Sequence, residues 1–239
     1  MKRFPSKLIK SLDKRVQNNS LRELKIAGED VDFYSNDYLG FASSHAIFSK
    51  AQKLCETYNL KQNGATGSRL ISGNHQLYQI TEDFLAVFHQ TEAALMFNSG
   101  YDANIGFFSS VPQKGDLIFF DELIHASIRD GISMSTAKAY KFEHNDIDDL
   151  QDKVSRHDFK EDSSIYVVTE AVFSMDGDLA PLLQLASLCN ENNFYLIVDE
   201  AHSTGVFGDH GQGLVTQLRL QDKIFARIHT FGKAIGAHG

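Results

Sequence analysis

The chain has 239 residues, 42% hydrophobic and 23% charged, a globular composition that excludes a disordered or fibrous protein. Its net charge is −8, from 23 Lys and Arg against 31 Asp and Glu, which disfavours nucleic acid as the main partner. No apolar run reaches the roughly 18 residues that a membrane span needs, and Cys55 and Cys189 have neither CxxC nor zinc-ligand spacing, so neither a membrane nor a metal is expected.

The N-terminus is basic (Lys2, Arg3, Lys7, Lys10, Lys14, Arg15, Arg22, Lys25) but lacks the apolar core of a signal peptide. Reduced thiols and a cytoplasmic location are therefore expected. Leu8, Leu12 and Val16 recur every fourth residue, which predicts an amphipathic helix docked on its own domain. The stretch DVDFYSNDYLGF reads as a short strand running into an Asn-Asp turn. NGATGSRLISGN (63–74) reads as a loop whose single Arg69 could serve a ligand or a partner subunit. HQLYQITEDFLAVFHQ then puts Leu77, Ile80, Phe84, Leu85 and Phe88 on one helical face.

From Glu92 onward, apolar runs of strand length appear at AALMF (93–97), DLIFF (116–120), IYVVT (165–169) and FYLIV (194–198), with a weaker one at FARIHTF (225–231). Helix-patterned stretches such as LAPLLQLASLCNENN separate most of them, which predicts a mainly parallel α/β sheet covered by helices on both faces. Residues 1–45 are expected to form an N-terminal helix and substrate-side segment, and residues 46–239 a ligand-binding large domain. Ligands of such sheets bind at the carboxyl ends of the strands. Ser99-Gly100-Tyr101, His125, Glu170, Ser174, Asp199, His202, Thr230 and Lys233 all fall at or just past those ends.

A strand-to-helix turn at Ser99-Gly100-Tyr101 offers either a tight βα connection or a phosphate cradle of backbone N–H groups. Asp199 closes an apolar strand, so it needs a cationic or donor partner unless it caps the next helix. His125 and His202 are structural residues or ring partners. Lys233 sits among small and apolar neighbours in HTFGKAIGAHG, where burial favours a neutral amine that attacks an aldehyde. A lysine, an acid, a phosphate cup and a stacking ring together are the parts that pyridoxal phosphate (PLP) requires.

The chain resembles the α-oxoamine synthase group of fold-type-I PLP enzymes. The resemblance rests on YSNDYLG (34–40), GATGSRLISGNH (64–75), FNSGYDAN (97–104), DELIHASIRDG (121–131), TEAVFSMDGDLAPL (169–182), VDEAHSTGVFG (198–208) and HTFGKAIGAHG (229–239). It implies that Lys233 bonds the cofactor aldehyde and moves protons at the substrate α-carbon. It also implies that Asp199 pairs with the pyridinium nitrogen, that His125 stacks on the ring, and that His202 and Ser174 bond the ring oxygen. Ser99, Gly100, Tyr101 and Thr230 correspond to the phosphate and ring-edge positions, and Asn36 and Arg22 to the substrate side.

The implied reaction condenses L-alanine with pimeloyl-CoA or pimeloyl-acyl carrier protein in a homodimer. It yields 8-amino-7-oxononanoate, carbon dioxide and free thiol. Glycine C-acetyltransferase, 5-aminolevulinate synthase and serine palmitoyltransferase activities are the alternatives within the group. The resemblance further implies that more than a hundred residues follow Gly239, including a small C-terminal domain and a carboxylate-binding arginine, so the 239 residues alone are expected to be inactive. VDEAH also looks like a DEAH-type helicase strand, but the sequence holds no GxxxxGK[ST] phosphate loop. A non-catalytic homologue is disfavoured by the joint presence of Lys233, Asp199 and His125.

Overall fold

The computed structural model describes residues 4–24, 31–160 and 162–239. Two units are distinct, residues 1–34 and 35–239. In the first, helix α1 (Ser6–Gln17) forms where the four-residue repeat predicts it, and no residue of it is buried. Lys2, Arg3 and Lys25 of the basic N-terminal segment lie outside the described residues.

The second unit is built on five parallel strands, β1 (Leu117–Asp121), β2 (Lys138–Phe142), β3 (Ile165–Glu170), β4 (Tyr195–Asp199) and β5 (Ala226–Ile228), in the order β2-β1-β3-β4-β5. Alternate residues of the central strands enter opposite cores, as pleating requires. Phe119, Val167, Leu196 and Val198 pack on one face with α6 (Ile147–Ser155) and α7 (Leu182–Asn192), through Leu150, Leu182 and Leu185. Ile118, Val168, Ile197 and Ile228 pack on the other with α4 (Gly100–Ser110) and α5 (Ala126–Met134), through Phe108, Ile128 and Ile132. Both faces are therefore dry, which is why these strands read as continuous apolar runs. The remaining helices are α2 (His45–Thr57), α3 (Gln76–His89) and the short α8 (Leu214–Gln217).

Two expected strands fail and one unexpected strand forms. AALMF (93–97) is not a strand: no ladder partner lies beside it among the described residues, and the Met96 N–H donates instead to Glu82 Oε1 at 2.7 Å. KAYKF (138–142) is a strand that the sequence did not announce. It lies at the sheet edge, and its two lysines face outward. The strand expected in DVDFYSNDYLGF does not form over residues 31–41, where polar side chains capture the local backbone. Tyr34 N–H donates to Asp32 Oδ1 at 3.0 Å, and Phe41 N–H donates to Asp37 Oδ1 at 2.8 Å. No helix among the described residues is long and apolar enough to cross a membrane.

Candidate active site

Parallel strands end together, so their last residues converge. Glu170 and Asp199 are direct register partners at the ends of β3 and β4, and both are buried. Lys233 follows β5 by five residues in a turn closed by Gly236 N–H donating to Lys233 O at 2.9 Å. Gly236 has φ +66°, and a Cβ there would lie 2.3 Å from the Ala42 nitrogen. The glycine thus lets the Lys233 turn meet the segment that carries Asn36 and Tyr38.

Asp199 is held by the Asn104 amide (Nδ2 to Oδ2, 2.8 Å) and by the Ala201 N–H (to Oδ1, 2.9 Å). Asn104 lies one helical turn beyond Gly100 on α4 and also donates to Ser127 Oγ at 3.0 Å, while its Oδ1 is buried without a partner. Ser127 Oγ is 2.7 Å from His125 Nδ1, and His125 caps α5 by accepting the Ser127 N–H at 3.2 Å. The His125 ring also meets Tyr101 edge-on, with centroids 6.3 Å apart. Asp199, Asn104, Ser127 and His125 therefore form one connected chain of hydrogen bonds.

Lys233 Nζ lies 2.6 Å from His202 Nε2, and His202 Nδ1 lies 2.7 Å from the Tyr38 hydroxyl, which also donates to Asn36 Oδ1 at 3.2 Å. Burial lowers the Lys233 amine from the ordinary lysine range, opposed by the charges of Asp199 and Glu170. Burial, with Lys233 and His125 nearby, takes His202 down to about 4, so its ring is neutral near pH 7. Glu170 accepts the His125 N–H at 2.5 Å, and burial followed by the Asp199 charge pushes it up to about 8. One carboxylate of the register pair is then protonated at neutral pH.

Ser99 caps α4 by accepting the Asp102 N–H at 3.0 Å, with Gly100 and Tyr101 opening the helix. A Cβ on Gly100 would sit 3.0 Å from Thr230 Cβ and 3.2 Å from Thr230 Oγ1. Thr230 thus stands close against the N-terminus of α4, whose unpaired backbone N–H groups suit an anion. The Tyr101 hydroxyl is engaged by Asp130. Ser174 is exposed at the start of a tight turn in which Gly177 N–H donates to Phe173 O at 2.9 Å. Arg22 lies exposed in the N-terminal unit. Arg69 is committed to Glu82 through two bonds of 2.5 and 2.8 Å and lies over the Tyr78 ring.

A cleft of about 570 Å³ shares Ser99 with these residues. It is apolar, runs between residues 93–97 and β5, and is lined by neither Lys233, Asp199 nor His125. The convergence of titratable groups, not cleft size, marks the site.

Sequence reasoning placed Glu170 at a strand end without giving it a role, and gave Asn104, Ser127 and Tyr38 no place in this network. For Asn104 a signal existed, since four residues after Gly100 puts it on the same helical face. The others are joined by tertiary contacts alone. Among the described residues no cluster of His, Cys, Asp or Glu is arranged to hold a metal.

Residues 29–239 match the family described as aminotransferase class I and II. The chain is 42% identical to an 8-amino-7-oxononanoate synthase of Emericella nidulans, over 97% of this chain and 60% of the relative. It superimposes with a TM-score of 0.84 and 28% identity on a serine palmitoyltransferase from S. paucimobilis with bound PLP and myriocin, covering 98% of this chain and 63% of that one. For an 8-amino-7-oxononanoate synthase from Francisella tularensis the TM-score is 0.70 at 33% identity, covering 88% of this chain and 57% of that one. The chain thus spans about 60% of the length of such relatives.

Proposed function

The chain belongs to the aminotransferase class I and II family, and on that premise we propose that it forms the PLP-holding part of an acyltransferase. The proposed reaction joins L-alanine to a pimeloyl thioester and gives 8-amino-7-oxononanoate, carbon dioxide and free thiol. The working assembly is proposed to be a homodimer. The single observation that carries this reading is the half-buried Lys233 amine, 2.6 Å from His202 Nε2 and within the electrostatic reach of the buried Asp199 at a strand end.

The residues fit PLP. Asp199 is a buried carboxylate with both oxygens already oriented by donors, as an acid paired to a pyridinium needs to be. A Cβ on Gly100 would press on Thr230, 3.0 Å from its Cβ, so the glycine lets the start of α4 approach it. Lys233 is assigned to the aldehyde, His125 to the ring face, and Ser99, Gly100, Tyr101 and Thr230 to the phosphate. His202 and Ser174 are assigned to the ring oxygen. Bound there, PLP supplies an electron sink for the carbanion at the amino-acid α-carbon.

This chain's own groups do the rest. The Lys233 amine takes and returns the proton at the alanine α-carbon, helped by burial that lowers its pKa from the ordinary lysine range. His202, neutral near pH 7, accepts a hydrogen bond at Nε2 from Lys233 when its Nδ1 carries the proton and donates to Tyr38. Asn36 and Arg22 are assigned to the substrate side.

Gly100→Ala should weaken PLP binding about tenfold, an effect of roughly 1.4 kcal/mol, by pressing a methyl group against Thr230. Equilibrium dialysis of PLP against wild type and variant checks it; unchanged affinity would remove the phosphate from this cradle. The reaction class is tested by adding L-alanine, glycine and L-serine in turn to the PLP-loaded intact protein, then pimeloyl-CoA. L-alanine should give the largest absorbance change and thiol release on adding the thioester. A preference for glycine or L-serine would move the chain to another α-oxoamine synthase activity.

A further inference from the structure

A second hydrogen-bonded cluster lies beyond the groups used above. β1 ends at Asp121, whose side chain is fully buried. Its carboxylate accepts the Leu123 N–H at 2.9 Å and the Asn145 N–H at 2.8 Å, and lies 2.9 and 3.2 Å from His144 Nδ1. The other ring nitrogen of His144, Nε2, lies 2.7 Å from Asp178 Oδ2 and 3.1 Å from Asn145 Nδ2. The Asn145 side-chain amide donates to that same Asp178 oxygen at 2.9 Å, which leaves Nε2 free to donate to the carboxylate. Asp178 belongs to the 173–179 turn, closed by Phe173 N–H donating to Asp178 O at 3.0 Å and by the bridge between Val172 and Leu179. The Phe173 ring meets the His144 imidazole edge-on, centroids 4.5 Å apart. One imidazole therefore spans from the end of β1 to the turn that carries Ser174.

An ionised carboxylate only accepts hydrogen bonds, so both contacts are satisfied only when both ring nitrogens carry protons. We propose that His144 is a proton-dependent positioning residue, whose imidazolium ties the 173–179 turn, and with it Ser174, to the sheet. The consequence for PLP rests on the functional reading above; the tie itself does not. Burial opposes the charged ring, but the bonds to Asp121 and Asp178 and their charges outweigh it, and the His144 pKa is raised.

The other groups around this ring are few. Glu122, just after β1, accepts the His144 backbone N–H and pairs with Lys141 of β2 at 3.2 Å. Asp146, Asp148 and, from α7, Gln184 share the open surface pocket beside His144. Because the folded pKa is raised, the stabilisation is complete below the ordinary imidazole value and is lost as pH rises through the folded value.

The test follows the His144 ring by nitrogen NMR and the Phe173 and Gly177 amides by hydrogen exchange across pH in the intact protein, with PLP affinity measured alongside. In wild type, the two amides should lose about tenfold in protection over the range where His144 deprotonates, the size expected for one charge-assisted bond. His144→Gln should lower protection at every pH. His144→Arg, permanently charged and able to bridge two carboxylates, should keep protection and abolish its pH dependence. PLP affinity should follow the same pattern across the three proteins. Protection that ignores His144 ionisation in wild type, or a His144 pKa at or below that of an exposed histidine, would overturn the proposal, even if His144→Gln fails to fold. A protein that binds no PLP would defeat the functional reading, while the exchange data would still decide the tie.

Discussion

Asp199→Asn should lower kcat by about two to four powers of ten while leaving the fold in place. Asp199 ends β4 with its carboxylate buried and held from two sides. An asparagine of the same shape keeps the Ala201 N–H at its oxygen and donates its amide to Asn104 once Asn104 turns its unpartnered Oδ1 toward it. What it loses is the charge proposed to pair with the cofactor nitrogen. Breaking a buried charge pair by removing one member costs about 3–5 kcal/mol, which is the stated loss in rate when it falls on the barrier. A second sign accompanies it. Burial already lowers the Lys233 amine, and the Asp199 charge opposes that shift. With the charge removed, the amine drops further and becomes neutral at lower pH, so attachment to the aldehyde should begin at lower pH in the variant. Stopped-flow absorbance across pH and steady-state turnover check both halves. Near-wild-type turnover with an unshifted pH profile would remove Asp199 from the cofactor nitrogen.

Lys233→Ala should be more damaging still. Proton transfer by a positioned side chain alone contributes roughly 10²–10⁴-fold, and this variant also loses the covalent anchor. The phosphate cradle between Gly100 and Thr230 and the Asp199 carboxylate remain. PLP should therefore still bind, more weakly, with the spectrum of the free aldehyde and complete loss on dialysis. His202 should rise from its value near 4 when the neighbouring ammonium goes, because the Lys233 charge is one of the causes, after burial, that hold it down. Retention of a dialysis-resistant chromophore would point to another lysine.

Much of this site was legible in the sequence because parallel strands announce themselves. Ile165–Glu170 and Tyr195–Asp199 are buried on both faces, so apolar composition alone finds them and their polar last residues stand out. Lys138–Phe142 was not legible for the opposite reason: with exposed lysines on either side of half-buried Ala139 and Tyr140, this edge strand resembles a surface segment. The run at 93–97 was misread because apolar character marks burial, whereas a strand also needs a ladder partner. Within the site, Lys233, Asp199 and His125 could be read from their place at strand ends. The Asn104–Ser127 link and the Tyr38–His202 contact could not, since the latter joins residues 164 apart in sequence. Arg69 shows the converse. An arginine in a glycine-rich loop looks free for a ligand, but its guanidinium is taken up by Glu82, thirteen residues on.

The central claim is that the half-buried amine at Lys233 is the attachment point of PLP. Borohydride reduction of the PLP-loaded intact protein, followed by proteolysis and mass mapping, reads it directly. The pyridoxyl group should be found on the peptide containing Lys233 and be absent from the Lys233→Ala protein. A label on any other lysine, or none on a protein that binds PLP, would contradict the account.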